Sequence, residues 1–202
     1  MRPRRAGGVQ KKELEPRLEQ AKQGTRRVYF VDAAHFVQCA FLGWLWCFTR
    51  LFVRSGSGRQ RFNVLGALCA TTHRLITVCN TGYINSDSVC QLLCKLAALP
   101  AKTPITVVLD NARYQRCELV QATAQTFGIE LLFLPTYSPN LNLIERLWKF
   151  TKKKVLYSRY YPTFADFQRA ISSLLDTAHE THRKELDSLL TLKFQTFATL
   201  TL

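Results

Sequence analysis

The sequence has few acidic residues. Its 14 Asp and Glu face 28 Lys and Arg, so the formal net charge is +14. Such a cation excess favours a polyanionic partner, because each neutralised phosphate releases counterions. A small basic protein without such a partner carries the same charge, so charge alone does not decide. The 202 residues are 47% hydrophobic and 11% aromatic, enough to fill one core, which excludes wholesale disorder.

The chain also lacks the cysteine spacings of zinc sites. Its seven cysteines are odd in number, form no CxxC pair and fall mostly in apolar runs. Only Cys90 and Cys94 share a helix face, and no histidine lies near them in the sequence. We therefore expect buried free thiols, and hence a reducing cytoplasm.

Targeting and membrane signals are missing as well. The N-terminal run MRPRRAGGVQKK is basic but leads into no apolar segment, so it does not resemble a signal peptide. In the aromatic stretch 36–53 the longest apolar run covers only residues 39–48, and Arg50 interrupts the rest. That length is too short to span a bilayer. A buried pair of strands turning at Gly43 is expected instead, with no membrane partner.

The remaining pattern predicts an α/β domain whose first part is antiparallel. Residues 1–27 are interpreted as a basic flexible lead, with a weak helix around 11–22. The α/β domain over 28–160 and a helical C-terminal extension over 161–202 follow. The predicted elements are strand 28–31, a hairpin of 62–70 and 74–79, a helix capped by Asn85 or Ser86, strand 105–109, helix 118–127 ended by Gly128, strand 129–134, helix 143–157, helix 164–175 and a polar segment 179–190.

Three carboxylates stand at the ends or beginnings of these elements. Asp32 and Asp110 each follow a buried strand, and Glu145 lies in the first turn of a helix. If the two strands are neighbours, their carboxyl ends place both aspartates side by side, where open α/β sheets build their sites. Three clustered carboxylates repel one another, and a pair of Mg²⁺ ions roughly 3.5–4 Å apart relieves the repulsion. This arrangement predicts cleavage or joining of nucleic acid strands.

Each acid also has a structural interpretation. An Asp after a strand is commonly a turn residue or a helix cap. Asn142 and Glu145 have the spacing of a capping box, with Asn142 as the N-cap. Taken singly, Glu145 would be assigned to the cap; the three acids together favour the metal site.

The helix that begins near Glu145 carries cations beside it. Six Lys or Arg and no acid occur from residue 146 to 165. At helical spacing the stripe of Ile144, Trp148, Thr151 and Val155 is expected to be buried. The candidates for DNA contacts are Arg113, Tyr137, Lys149, Lys152 and Lys153, and a merely solvated lysine face is the alternative. Trp44, Trp46 and Trp148 are interpreted as core residues.

Two motifs resemble a known family. ITVVLDNARYQ and IELLFLPTYSPNLNLIERLWKFTKKK are similar to the DDE-type catalytic domain of the mariner-like transposase superfamily, in its bacterial insertion-sequence branch. The resemblance covers about residues 28–160. It implies an RNase H-like fold, shared with retroviral integrases, with a mixed sheet flanked by helices. It further implies catalytic residues Asp32, Asp110 and Glu145 that bind Mg²⁺ or Mn²⁺, and cutting and joining of double-stranded DNA at transposon ends, usually at TA dinucleotides.

The chain departs from that family at several positions. Ala33 stands where Glu is frequent, Gln115 where His is common, and Thr136 and Leu143 replace frequent prolines. His35 lies close to Asp32 in sequence, but a hydrogen-bonded structural role is favoured over metal binding.

Only about 27 residues precede the first strand, too few for the family's two helix-turn-helix modules. A truncated copy or the second frame of a split element is expected, with a separate helix-turn-helix polypeptide as partner. By resemblance, a homodimer in the bacterial cytoplasm, associated with the nucleoid, is also expected.

Two alternatives remain open from the sequence. One is a catalytically silent DNA-binding remnant of a truncated transposase. The other is a plain RNase H-like nuclease without strand transfer.

Overall fold

The computed structural model describes residues 10–38, 47–49, 52, 60–100, 103–135, 141–192 and 194. The strands are β1 (Arg27–Val37), β2 (Arg61–Cys69), β3 (Leu75–Asn80), β4 (Ile105–Leu109) and β5 (Ile129–Phe133). The helices are α1 (Glu15–Lys22), α2 (Ser86–Ala97), α3 (Glu118–Thr126), α4 (Ile144–Val155), α5 (Phe164–Thr181) and α6 (Arg183–Leu189). A π turn (Gln10–Leu14) precedes α1, and a 3₁₀ turn (Arg113–Gln115) follows β4.

The strands form one mixed sheet in the order β3-β2-β1-β4-β5. β3, β2 and β1 are antiparallel neighbours, whereas β1, β4 and β5 run parallel. In the parallel part, Val31 is in register with Leu109, and Leu109 with Phe133. The expected mixed sheet flanked by helices is therefore confirmed, and the β1–β4 register brings the residues after Val31 and Leu109 to the same edge.

Alternation along the strands creates a separate core on each sheet face. Phe30 and Phe36 of β1 face the core that is shared with α1, α4, α5 and α6. Tyr29 and Val31 face the opposite core, which α2 and α3 cover. Because side chains alternate across a strand, this pattern buries both faces of the central strand.

Several local signals act as the sequence predicts. β2 and β3 form the expected hairpin, and His73 in its turn adopts φ 57°. Asn85 caps α2 by accepting from the Ser88 amide at 3.0 Å. Gly128 follows α3 with φ 64°, a conformation that costs a glycine little.

The first strand is longer than predicted. Asp32 and His35 interrupt the apolar run, so the sequence predicts a strand ending at Val31. Pairing with β2 extends β1 to Val37, which lies opposite Arg61. Asp32 consequently lies inside the strand rather than after it. The predicted pair of strands turning at Gly43 falls largely outside the described residues.

The N-terminal segment differs from the flexible lead that its charge predicts. From residue 10 onward it packs on the domain, because Leu14 and Leu18 are buried in the core shared with α4. Arg17 Nε donates to Glu130 Oε1 of β5 at 2.9 Å, and Arg26 Nη1 donates to Glu130 Oε2 at 2.8 Å. The buried Thr106 hydroxyl completes the cluster by donating to Glu130 Oε2 at 2.7 Å.

The C-terminal helices belong to the same core as α4. Phe167 and Ile171 of α5 and Leu186 of α6 are buried there. α5 extends to Thr181, farther than the predicted end at residue 175. Within the described residues, no helix combines the length and apolar character that a membrane span needs.

The six described cysteines are free thiols, as expected. The expectation that these thiols are buried is wrong. Among the described cysteines, Cys47, Cys79 and Cys94 are exposed and only Cys69 is fully buried. An apolar neighbourhood in sequence does not bury a thiol on the outer face of a helix, as at Cys94, or on the open side of the edge strand β3, as at Cys79.

Candidate functional site

The sheet places Asp32 and Asp110 side by side. β1 and β4 are parallel neighbours, and their last paired residues are Val31 and Leu109. The two aspartates are the next residues on each strand and lie at the same edge. Their adjacency, predicted from the ends of two buried strands, is a direct result of this register.

Glu145 approaches the aspartates from the first turn of α4. Its backbone amide donates to Asn142 O at 3.3 Å, which starts the helix without a side-chain cap. Ile144, Trp148, Thr151 and Val155 are buried as predicted, and they anchor one face of α4 on the sheet. Glu145, only partly buried, lies beside that face.

The three acids interact electrostatically. Burial, together with the charges of Asp110 and Glu145, raises the pKa of Asp32 to about 7. Burial raises the pKa of Asp110, although a hydrogen bond from Asn142 opposes the shift. Burial and the charge of Asp110 raise the pKa of Glu145, which Lys149 partly offsets. All three carboxyl groups are therefore costly to ionise unless a cation is near.

Asn142 does not cap α4 as the sequence predicts. Its side-chain amide donates to Asp110 Oδ1 at 3.2 Å and to Val31 O at 3.3 Å. The residue is 2% exposed, and its Oδ1 has no hydrogen-bond partner. The predicted capping box is wrong because the amide bonds across the sheet edge instead of to its own helix.

Trp148 contacts the other aspartate. Its Nε1–H donates to Asp32 Oδ2 at 3.1 Å while the ring stays buried. Gly66 of β2 pairs with Asp32 and leaves room for the indole, since a Cβ at that position would lie 2.8 Å from Trp148 Cη2. The sequence correctly predicts Trp148 as a core residue but gives no indication of its polar contact.

His35 is held by a structural contact. Its Nδ1 lies 2.7 Å from Asn63 Oδ1, and Asn63 in turn donates to Gly82 O and Asn80 Oδ1. The hydrogen-bonded role favoured for His35 is confirmed.

The donor atoms fit a hard divalent cation. None of the described ion pairs involves Asp32, Asp110 or Glu145. The carboxylates and the unpartnered Asn142 Oδ1 offer oxygen only, which Mg²⁺ prefers. Across the described residues, however, no three His, Cys, Asp or Glu side chains gather around a single point. The acids are coupled by charge but do not form one closed ligand cage.

The candidate DNA-contacting residues are on the surface where the structure describes them. Arg113, Lys149 and Lys153 are exposed and Lys152 is partly exposed. None of these four takes part in an ion pair among the described residues. Tyr137 lies outside the described residues.

Sequence reasoning missed three residues of the site. The sequence pattern indicates a helix cap for Asn142 and a core position for Trp148, and it indicates no role for Gly66. A glycine inside the otherwise apolar run of β2 is a signal of close approach by another group. Tyr114 is also near: burial and then the charge of Asp32 raise the pKa of its phenol.

Comparison with known proteins gives matches at the levels of family and fold. A family model described as DDE superfamily endonuclease matches residues 27–168. No curated protein matches the sequence significantly. The solved structures described below are 12–15% identical to this chain, so they show the fold alone.

Three of these structures are representative. The Mos1 strand transfer complex matches with a TM-score of 0.61 at 15% identity, covering 94% of this chain and 59% of that chain. The Mos1 transposase catalytic domain with raltegravir and Mg has a TM-score of 0.57 at 12% identity, covering 93% and 92%. The catalytic core domain of HTLV-2 integrase with magnesium, in a dimeric form, has a TM-score of 0.50 at 13% identity, covering 76% and 86%.

This chain spans only part of the longer proteins, 48% of the simian T-cell lymphotropic virus intasome chain and 59% of the Mos1 chain. The match covers 92% of the isolated catalytic domain of Mos1, and the described elements form the RNase H-like fold of these catalytic domains. Because the family model covers well over half of the sequence, the chain belongs to the DDE superfamily of endonucleases.

Proposed function

We propose that this chain is the catalytic domain of a DNA transposase, which cuts strands at transposon ends and joins them to target DNA. The observation that carries the proposal is that Asp32 and Asp110 follow the last paired residues of β1 and β4, with Glu145 of α4 near enough for its charge to interact with theirs. Membership of the DDE endonucleases supports strand cleavage, and the likeness to Mos1 supports transfer.

Asp32, Asp110 and Glu145 are the residues that we assign to holding Mg²⁺ or Mn²⁺, as two ions. Bound ions supply activation of a water or a 3′-hydroxyl and stabilisation of the leaving oxygen in an in-line displacement. The protein's part is to hold the oxygen ligands in fixed orientation. Asn142 does this for Asp110 through the hydrogen bond at 3.2 Å.

We further assign the basic face of α4 to the DNA backbone. Lys149 and Lys152 lie on the stripe that starts at Glu145, so a strand placed at the acids meets these cations next. Arg113, from the turn after Asp110, and Lys153 extend the cationic surface. Tyr137, just before this helix in sequence, completes the proposed contacts.

The finer assignments follow from the sequence motifs. The segment from Leu134 to Glu145 resembles the corresponding motif of the bacterial insertion-sequence branch of mariner-like transposases, and on this resemblance we assign the chain to that branch. We infer a helix-turn-helix polypeptide as a partner in end recognition, and handling two ends favours a homodimer. HTLV-2 integrase, with the same fold, has been solved in a dimeric form.

The test is plasmid nicking in Mn²⁺, followed by joining of a labelled duplex end to plasmid DNA. Wild type is expected to nick only with metal, and Asp110→Asn and Glu145→Gln to lose the activity. Glu118→Gln, on the exposed start of α3, is the matched control and should behave as wild type.

The outcomes separate the candidate functions. Nicking without end joining would identify a plain nuclease. DNA binding without nicking in any preparation would identify a silent remnant. Equal nicking by wild type, Asp110→Asn and Glu145→Gln, each purified free of host nuclease, would refute the assigned site.

A further inference from the structure

Trp148 combines full burial with one polar contact. The side chain is 5% exposed, and its Nε1–H donates to Asp32 Oδ2 at 3.1 Å. An indole nitrogen is a donor only, so it constrains the carboxylate without competing for a metal ion. The Asp32 carboxylate also accepts a hydrogen bond from the Ala33 backbone, and its Oδ1 is left without the indole contact.

The packing around the ring prevents it from moving. Phe36 packs edge-on against the indole, with ring centroids 6.3 Å apart and an interplanar angle of 81°. On the β2 side, a Cβ on Gly66 would lie 2.8 Å from Cη2 and 3.0 Å from Cζ2. Gly66 is also the residue that pairs with Asp32 across β1 and β2. The glycine therefore admits the indole at the very point where it reaches the acid.

We propose that Trp148 is a positioning residue for Asp32: the buried indole N–H fixes Oδ2 so that Oδ1 faces the divalent cation. The inference rests on the proposed function, since it requires Asp32 to be a metal ligand. A tryptophan that served the core alone would need only its ring, and phenylalanine would replace it without effect on the acid. Hydrogen-bonded partners of metal ligands typically contribute 10- to 100-fold in affinity.

The decisive measurement is the dissociation constant for Mn²⁺, obtained by electron paramagnetic resonance on the full chain. Trp148→Phe keeps an apolar ring and removes the N–H, and we expect about 10- to 100-fold weaker Mn²⁺ binding in a folded protein. Phe150→Leu is the matched control, because Phe150 is a buried ring on the same helix that makes no hydrogen bond to the acids. It should lower the thermal midpoint and leave Mn²⁺ affinity within about twofold of wild type.

Gly66→Ala perturbs the same contact without removing a polar atom. Its Cβ must displace the indole, so Mn²⁺ affinity should fall here too. A second measurement uses the unaltered chain: one indole N–H resonance should shift during titration with Mg²⁺, and the same resonance should shift in Asp32→Asn. This second measurement keeps the inference testable if Trp148→Phe does not fold.

The failures are distinguishable. Folded Trp148→Phe with wild-type Mn²⁺ affinity would overturn the positioning role, as would equal losses in Phe150→Leu. Three indole resonances that stay unmoved by saturating Mg²⁺ would do the same. Wild-type Mn²⁺ affinity in Asp32→Asn would instead refute the metal site of the proposed function.

Discussion

Asn142 ties Asp110 to the neighbouring strand, since its amide donates to Asp110 Oδ1 at 3.2 Å and to Val31 O at 3.3 Å. The loop that enters α4 is thereby fixed to both parallel strands that carry the aspartates. Glu145 lies three residues later in the first turn of α4, and its amide donates to Asn142 O, so the position of the third acid depends on the same loop.

Replacing Asn142 with Ala should therefore affect both stability and the metal site. The change leaves Val31 O and Asp110 without their buried donor, at a cost of about 1–3 kcal/mol in the free energy of unfolding. Urea titration measures that loss, and Mn²⁺ binding should weaken in the same variant because Asp110 is no longer held.

Asn85→Ala provides the control for this change. It removes the cap of α2, which lies on the other face of the sheet, and costs about 1 kcal/mol. Mn²⁺ affinity should not change in this variant. If Asn142→Ala bound Mn²⁺ as tightly as Asn85→Ala, the loop would have no role in holding Asp110.

The acids predict an unusual dependence of stability on pH. Burial, with the charges of Asp110 and Glu145, raises the pKa of Asp32 to about 7 in the folded protein, against about 3.9 unfolded. The folded state thus binds this proton more tightly. Its stabilising contribution is complete below about pH 4 and is lost as the pH rises to about 7, by roughly 1.4 kcal/mol for each unit of pKa difference.

We expect wild type in EDTA to lose stability relative to Asp32→Asn across that interval, as measured by urea unfolding at several pH values. Burial lowers the pKa of His73, so its contribution to stability changes with pH in the opposite direction. Because both proteins contain His73, subtracting one stability curve from the other removes this contribution. Mg²⁺ should stabilise wild type most near and above pH 7, where the acids are ionised. Parallel pH curves for the two proteins would contradict the raised pKa.

How far the sequence predicts this site depends on the range of the contacts. The apolar strands 105–109 and 129–134 and the caps at Asn85 and Gly128 are local signals, and the structure has each of them. The adjacency of Asp32 and Asp110 requires only that two strands be neighbours. By contrast, the Asn142 side chain can cap its own helix or bond to Val31, which is 111 residues away in sequence. No local sequence pattern indicates which of these two contacts forms.

The same reasoning explains the misjudged N-terminal segment. Its charge predicts a solvated lead, but Arg17 and Arg26 find their shared partner Glu130 on β5, over 100 residues away in sequence. The composition of the N-terminal segment shows its arginines but not the distant Glu130 that pairs with them. Leu14 and Leu18 are the weaker local signal that this segment has an apolar face.

Glu130→Gln should loosen α1 from the sheet. The carboxylate accepts from Arg17, Arg26 and Thr106, and its pKa is lowered to about 2, mainly by the hydrogen bond from Arg17. Its contribution is present above about pH 4.5 and is lost as the pH falls towards 2. Because the group is partly exposed, we expect a loss of about 1 kcal/mol at pH 7.

Amide hydrogen exchange across α1 is the sensitive measure of this loosening, and exchange should accelerate in Glu130→Gln. Glu19→Gln removes an exposed ion pair with Lys22 on the same helix and should change exchange little. Equal protection of α1 in both variants would show that the buried leucines alone hold the segment.

The last prediction concerns DNA binding by the basic face of α4. Lys149 and Lys153 are exposed and lie outside the described ion pairs, so each is available to a phosphate. Removing one phosphate contact lowers the slope of log affinity against log salt by about 0.9. Lys149→Ala and Lys153→Ala should each show this reduction in fluorescence anisotropy with duplex DNA, and the double variant about twice as much. Lys95→Ala, on α2 across the sheet, should keep the wild-type slope. A common reduction in all three variants would mean that DNA responds to net charge and not to a surface beside Glu145.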